Sequence, residues 1–177
     1  MKELNFSLPV AELGRLQFLT GEFVGDQVLR MPNDAGMMPF KAHWAGSWEP
    51  CDRYIQMSQF AENRAVGARD SVHFLGTYDL RKKHYVLHIY SSWAPEMQVL
   101  TGNFEGSALV LVGQPSETLF GFDRHRLTLT PTATGFEFFC ERQELGEWIL
   151  YCRCGYEATE VPKATRPRQD WPPKGFT

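Results

Sequence analysis

Phe74-Leu75-Gly76-Thr77-Tyr78-Asp79-Leu80-Arg81-Lys82-Lys83-His84-Tyr85-Val86-Leu87-His88-Ile89-Tyr90 decides the fold. Two runs rich in aromatic and branched residues flank a charged segment suited to a tight reversal. A turn over Leu80–Lys83 sets Tyr78 opposite Tyr85, Gly76 opposite Leu87 and Phe74 opposite Ile89. One face then reads Val72, Phe74, Gly76, Tyr78, Tyr85, Leu87, Ile89, which is apolar. The other reads Ser71, His73, Leu75, Thr77, Val86, His88, Tyr90, which is mixed. That alternation belongs to an antiparallel sheet with one buried face.

The same punctuation recurs along the chain. Strand-like runs fall at Glu22–Met31, Phe40–Trp48, Tyr54–Ala61, Asp70–Tyr78, His84–Ser91, Met97–Phe104, Ala108–Gly113, Phe122–Thr130, Gly135–Arg142 and Trp148–Tyr156. Turn chemistry separates them, as at Pro32-Asn33-Asp34, Glu49-Pro50-Cys51-Asp52, Glu105-Gly106-Ser107 and Glu144-Leu145-Gly146. Short strands in a long meander abolish their edges by closing on themselves. The expected fold is all-β, a closed or nearly closed antiparallel up-and-down barrel of about ten strands, with a β-sandwich as the alternative. Ahead of it, Ser7 as cap, Pro9 in the first turn and the stripe Val10, Leu13, Leu16 predict a short helix over residues 8–19. Such a helix can plug a barrel end. The barrel domain is expected to span 1–158, and the proline-bearing stretch 159–177 to form a tail.

At 177 residues the chain suits one domain with a real core. Its net charge of −3, with no basic block, gives nucleic acid nothing to bind. No apolar run reaches the ~18 residues of a membrane helix, and Met1-Lys2-Glu3-Leu4-Asn5 lacks a signal-peptide core. A cytoplasmic location without a membrane partner is the resulting expectation. The four cysteines, Cys51, Cys140, Cys152 and Cys154, form no CxxC and are read as reduced structural thiols. Aromatic residues make up 14% of the chain, enough to fill a core or to line a cavity.

Several elements, in order, resemble a family of lipocalin-like (calycin) β-barrels catalogued as a domain of unknown function. They are Leu19-Thr20-Gly21-Glu22-Phe23-Val24-Gly25, Gly76-Thr77-Tyr78-Asp79 with Tyr85 beyond a basic turn, Leu100-Thr101-Gly102-Asn103-Phe104 before Leu109-Val110-Leu111, and Tyr151-Cys152-Arg153. The resemblance implies a barrel with an internal cavity and no particular activity. More distantly, the early glycine-aromatic-glycine spacing is similar to that of nitrobindin-like haem barrels. In place of their tryptophan stands Phe23, and Asp26 follows Gly25. The haem ligand of that family is a histidine near the C-terminal strands, and this chain has none after His125. No cofactor is therefore expected, a haem-binding barrel is kept as an alternative, and no metal is expected because His73 and His88 have no carboxylate or thiol beside them on their face.

Candidate site residues follow from strand parity. Ile149, Tyr151 and Arg153 share one face of the closing run; Trp148, Leu150, Cys152 and Cys154 share the other. With the first set inward, Arg153 and Tyr151 would anchor a ligand carboxylate, because a buried guanidinium needs an anionic partner. Intracellular fatty-acid-binding proteins carry an Arg-x-Tyr pair on their last strand, and here the order is Tyr-x-Arg. The other reading puts Arg153 on a solvated face or pairs it with Glu137 or Glu141. Leu127 and Leu129 carry His125 and Asp123 inward, either as a structural histidine or as an acid–base pair. His73 and His88 are diagonal neighbours, roughly 7–8 Å apart, on the outer face of the hairpin. Gln56 and Ser58, with Tyr54 and Phe60, are expected on the face shared by Trp44 and Trp48, as the few polar groups of an apolar pocket. Trp44, Trp48, Tyr85, Leu87 and Phe138 would supply its walls.

The expected function is a non-enzymatic binding barrel for a small, largely apolar ligand with an anionic group. Alternatives are a small enzyme using His125 and Asp123, and an interaction module with a filled interior. The expected partner is a small apolar or amphipathic molecule, and the sequence leaves a homodimer open.

Overall fold

A computed structural model describes residues 10–31, 36–92, 94–118 and 121–159. The expected Ser7 cap and Pro9, the Pro32-Asn33-Asp34 turn, the Asp123 side chain and the tail beyond Thr159 lie outside the described residues. The chain opens with a helical turn, α1 (Val10–Gly14), and a 3-10 turn at Gln17–Leu19. The strands are β1 (Gly21–Arg30), β2 (Met37–Trp48), β3 (Ile55–Asn63), β4 (Ala68–Asp79), β5 (His84–Ser91), β6 (Gln98–Glu105) and β7 (Ala108–Gly113). After them come β8 (Ser116–Thr118), β9 (Gly121–Asp123), β10 (His125–Pro131), β11 (Gly135–Glu144) and β12 (Glu147–Ala158). All but β8 and β9 form one closed barrel of ten strands, in which each pairs with its neighbour in the chain and β1 meets β12. The sandwich alternative is thereby excluded. No helix among the described residues is long and apolar enough to cross a membrane.

The β4–β5 hairpin has the register read from its sequence: Tyr78 faces Tyr85, Gly76 faces Leu87 and Phe74 faces Ile89. Asp79 builds the turn. Its Oδ1 accepts from the backbone N–H groups of Arg81 and Lys82, and its carbonyl accepts from Lys83, the residue at φ 54° that closes the reversal.

The expected Phe122–Thr130 strand is instead divided at Arg124. Gly121–Asp123 leaves the wall to pair with Ser116–Thr118, and β10 begins at His125. Arg124 holds this corner, its Nε donating to Gly113 O at 3.0 Å and its carbonyl accepting from Gln143 N at 2.9 Å.

One half of the barrel is solid. Trp44, 2% exposed, lies at its centre against Phe74 and Phe136, each at 5.1 Å between ring centroids, and Tyr156 at 5.7 Å. Each such aromatic removes enough apolar surface from water to contribute about 1.5–3 kcal/mol. The N-terminal segment seals this end, as the helix signal predicted. Trp44 Nε1 donates to Leu19 O (3.0 Å), Trp48 Nε1 to Gln17 Oε1 (3.0 Å), and the Tyr85 hydroxyl to Glu12 O (2.8 Å). Gly46 makes the approach possible, since a Cβ there would stand 2.0 Å from Leu19 O.

Candidate functional site

The opposite half is where polar side chains turn inward. On β1, Phe23, Gln27 and Leu29 are buried; on β3, Ile55, Met57, Gln59 and Ala61; on β4, Asp70 and Phe74. Phe23 and Phe74 face the solid core, so the same parity carries Gln27 and Asp70 into the interior two strand pitches away. Together with His125, Cys140, Tyr151 and Cys152 they surround a cavity of about 80 Å³ whose apolar wall includes Phe74, Leu100, Leu127 and Phe138. For comparison, a dry engineered cavity of ~150 Å³ takes benzene. The space fits a head group of a few heavy atoms, with any longer body lying in the mouth.

Two of the expected site residues meet here. His125 is buried on the face of Leu127 and Leu129, as their parity required, and its ring stands edge-on to Tyr151 with centroids 5.5 Å apart. Tyr151 arrives by a different route from the one expected. Cys140 pairs with Cys152 and Glu141 with Leu150, so Tyr151 is the extra residue of a β-bulge and turns inward beside Cys152. Cys140 Sγ donates to the Tyr151 hydroxyl at 2.9 Å.

Arg153 is a correction. It is exposed, while Cys152, Cys154 and Tyr156 point into the barrel. Regular alternation places the arginine outward once those three are buried, and only the bulge lets Tyr151 escape the same fate. Glu141 does not pair with it either. That carboxylate takes a two-point contact from Arg126, at 2.6 and 2.7 Å, and the same guanidinium covers the Trp148 ring at 4.7 Å.

Gln56 and Ser58 are a second correction. The turn after β2 runs from Glu49 to Tyr54, closed by Glu49 N donating to Tyr54 O at 2.9 Å, and it sets Trp48 opposite Ile55. The face of Trp44 and Trp48 on β3 is therefore Ile55, Met57 and Gln59, because a one-residue change of register exchanges the two faces. Gln56 is exposed, Ser58 lies half-buried on the outer surface, and Phe60 is 42% exposed. Trp44, Trp48 and Tyr85 belong to the plugged half, where their polar atoms hold the N-terminal segment. His73 is exposed and His88 half-buried, both on the outer face.

Electrostatics are set by burial. Asp70 is 7% exposed, and burial pushes its carboxyl above the ordinary range. The Ser92 hydroxyl, whose Oγ lies 3.3 Å from Oδ1, and then the nearby Gln27 amide and Ser71 backbone N–H pull it back. The Gln27 amide is turned toward this carboxylate without closing a well-formed hydrogen bond. Burial pushes the Cys140 thiol up to about 12 and raises Cys152 and the Tyr151 phenol well above their usual values. These groups stay protonated at neutral pH, and an apolar, protonated thiol is a poor nucleophile. Among the described residues no group of three or more His, Cys, Asp or Glu side chains is placed to hold a metal ion.

Gln27, Gln59 and Asp70 escaped the sequence reading. The signal for Asp70 was present, since the apolar face Val72, Phe74, Gly76 extended back by two residues lands on it. Gln27 is likewise in phase with Phe23 and Leu29.

Fold and site together define a plugged, ten-stranded antiparallel β-barrel with a small polar-lined cavity in the half away from the plug. Among solved structures it is similar to Rv2717c from M. tuberculosis, with a TM-score of 0.63 at 13% identity over 87% of this chain and 100% of that one. At that identity the likeness is one of fold. No family model and no curated protein matches the sequence.

Proposed function

We propose that the protein is a non-enzymatic binding barrel for a small, largely apolar ligand whose polar head enters the half of the barrel away from the plug. One observation carries the reading. Gln59 Oε1 lies buried at the cavity with no hydrogen-bond partner among the described residues, on a side chain 2% exposed, while Gln27 Nε2, on a side chain 1% exposed, is turned toward Asp70 without a well-formed bond. A buried polar atom left unsatisfied costs about 1–3 kcal/mol. A ligand head that donates to Gln59 Oε1 recovers that cost, and the phenyl and leucyl wall supplies the apolar contact.

The anionic head expected from Arg153 loses its support, because the guanidinium is outside and the cavity holds a carboxyl of its own. Burial holds the thiols and the phenol at the cavity protonated, which disfavours them as nucleophiles. Native mass spectrometry of the protein purified from its own host tests the proposal. A small molecule retained by the wild type and lost from a Gln27→Leu, Gln59→Leu variant is the expected result. A wild-type mass equal to that of the bare chain, together with no thermal shift from any probe, would remove the reading.

A further inference from the structure

The polarity of the buried amides, set beside Asp70, bears on the charge of the ligand. We propose that the cavity takes a cationic head, a small primary ammonium, paired with Asp70 and hydrogen-bonded to Gln59 Oε1; this rests on the binding role above.

Asp70 has no ion pair with any described residue; its neighbours are Ser92, Ser71 and Gln27. A carboxylate so deeply buried is costly unless a cation or a set of strong donors meets it. The cavity lining contains no lysine and no arginine. A ligand ammonium would bring the Asp70 carboxylate a permanent positive charge that the described lining does not carry.

The amides point the same way. Gln59 Nε2 donates to Gln27 Oε1, and Gln27 Nε2 is turned toward Asp70, so the two side chains form a directed relay that leaves Gln59 Oε1 over. Reversing both amides would set Gln27 Oε1 against the Asp70 carboxylate, acceptor facing acceptor, so the ionised acid fixes the direction. What the relay offers the cavity is an acceptor, and an ammonium carries three donors. A neutral donor would satisfy Gln59 and leave Asp70 unmatched.

The thiols and the phenol at the cavity bring no positive charge to meet a cation. Cys140 on β11 and Tyr151 and Cys152 on β12 are held neutral by burial. His125 on β10 is the one basic side chain in the lining. Arg142, its partner in register, is ion-paired with Glu144 at the end of the hairpin. Phe74 and Phe138 are aromatic members of the wall. A cavity of about 80 Å³ seats an ammonium and the first carbons of its chain.

The test uses three probes of one chain length, n-butylammonium, butyramide and butyrate, titrated calorimetrically into the full-length protein at neutral pH. Butylammonium is expected to bind about tenfold or more tightly than either of the others. Asp70→Asn and Gln59→Met are each expected to weaken it by about tenfold or more, and Glu137→Gln, on the outer face, to leave it unchanged. Circular dichroism checks that each variant folds, and if Asp70→Asn does not, the ranking of the three probes on the wild type decides alone. Butyramide binding as well as butylammonium, a preference for butyrate, or butylammonium unaffected by Asp70→Asn would overturn the cationic head and leave the binding barrel standing. Heat from none of the three overturns the cationic head, and a ligand retained in native mass spectrometry would then keep the broader role alive.

Discussion

Cys140 stands opposite Cys152, and the next pair along β11 and β12 is Glu141 with Leu150, so Tyr151 enters the barrel as the unpaired residue of a bulge. The bulge joins the two halves of the closing strand with opposite phases. It lets Cys152 and Tyr151 both line the cavity and returns Arg153 to the surface. Bulges re-aim side chains in this way at the rims of barrels.

Tyr151→Phe keeps the ring against His125 and removes the acceptor of the Cys140 Sγ bond. A loss of about 1 kcal/mol is expected in denaturant unfolding, with the cavity's shape retained. A larger loss with altered near-ultraviolet circular dichroism would mean that the hydroxyl holds the bulge itself.

Arg153→Met is expected to leave both the unfolding midpoint and probe binding unchanged. The side chain is exposed, and such surface substitutions stay within about 0.5 kcal/mol. Weakened displacement of a fluorescent fatty-acid probe would restore the arginine as an anchor and contradict the orientation of β12.

Gly46→Ala drives a methyl group toward Leu19 O, where a Cβ would stand at 2.0 Å, and so pushes the N-terminal plug off the barrel end. Overpacking of this kind costs about 1–3 kcal/mol. Trp44→Phe, which loses the Nε1 bond to the same carbonyl, should share the phenotype: faster proteolysis within the first twenty residues, read by mass spectrometry. Unaltered cleavage in both variants would separate the plug from this contact.

Incubation with haemin is expected to give no Soret shift. A cavity of about 80 Å³ does not admit a porphyrin with its walls in place, and His125 is packed edge-on against Tyr151. A shifted, saturable band lost in His125→Ala would show that the barrel opens to take one.

The strands and the barrel were legible because alternation in most of them is clean. In the β4–β5 hairpin, Asp79 and the basic turn fix the register locally, so faces and partners both follow from the sequence. Parity failed where geometry outside the strand sets the phase. The turn from Glu49 to Tyr54 decides which face of β3 is buried, and Tyr54, Gln56, Ser58, Phe60 competes with Ile55, Met57, Gln59, Ala61 on nearly equal terms. The bulge at Tyr151 depends on the pairing of two strands and leaves no local mark. His125 is buried as its strand phase required, because Leu127 and Leu129, two and four residues on, set that phase. The buried amides were passed over because glutamine in a strand ordinarily signals the outer face.

Asp70 gives the fold a pH dependence whose sign can be worked out. Its carboxyl is raised above the ordinary 3.8, chiefly by burial, so the protonated acid is favoured more in the folded chain than in the unfolded one. The favourable contribution is fully present below the unfolded value and is lost as pH rises through the folded one. Asp70→Asn keeps the shape and removes the ionisation. Relative to wild type, the variant's unfolding midpoint is expected to gain steadily as pH rises from about 4 towards neutrality, and to gain nothing further once the wild-type acid is fully ionised. A bound ammonium would stabilise the ionised acid and narrow the difference at neutral pH. A midpoint difference that is flat with pH would mean that Asp70 is solvated in solution, and the charge argument for the cavity would go with it.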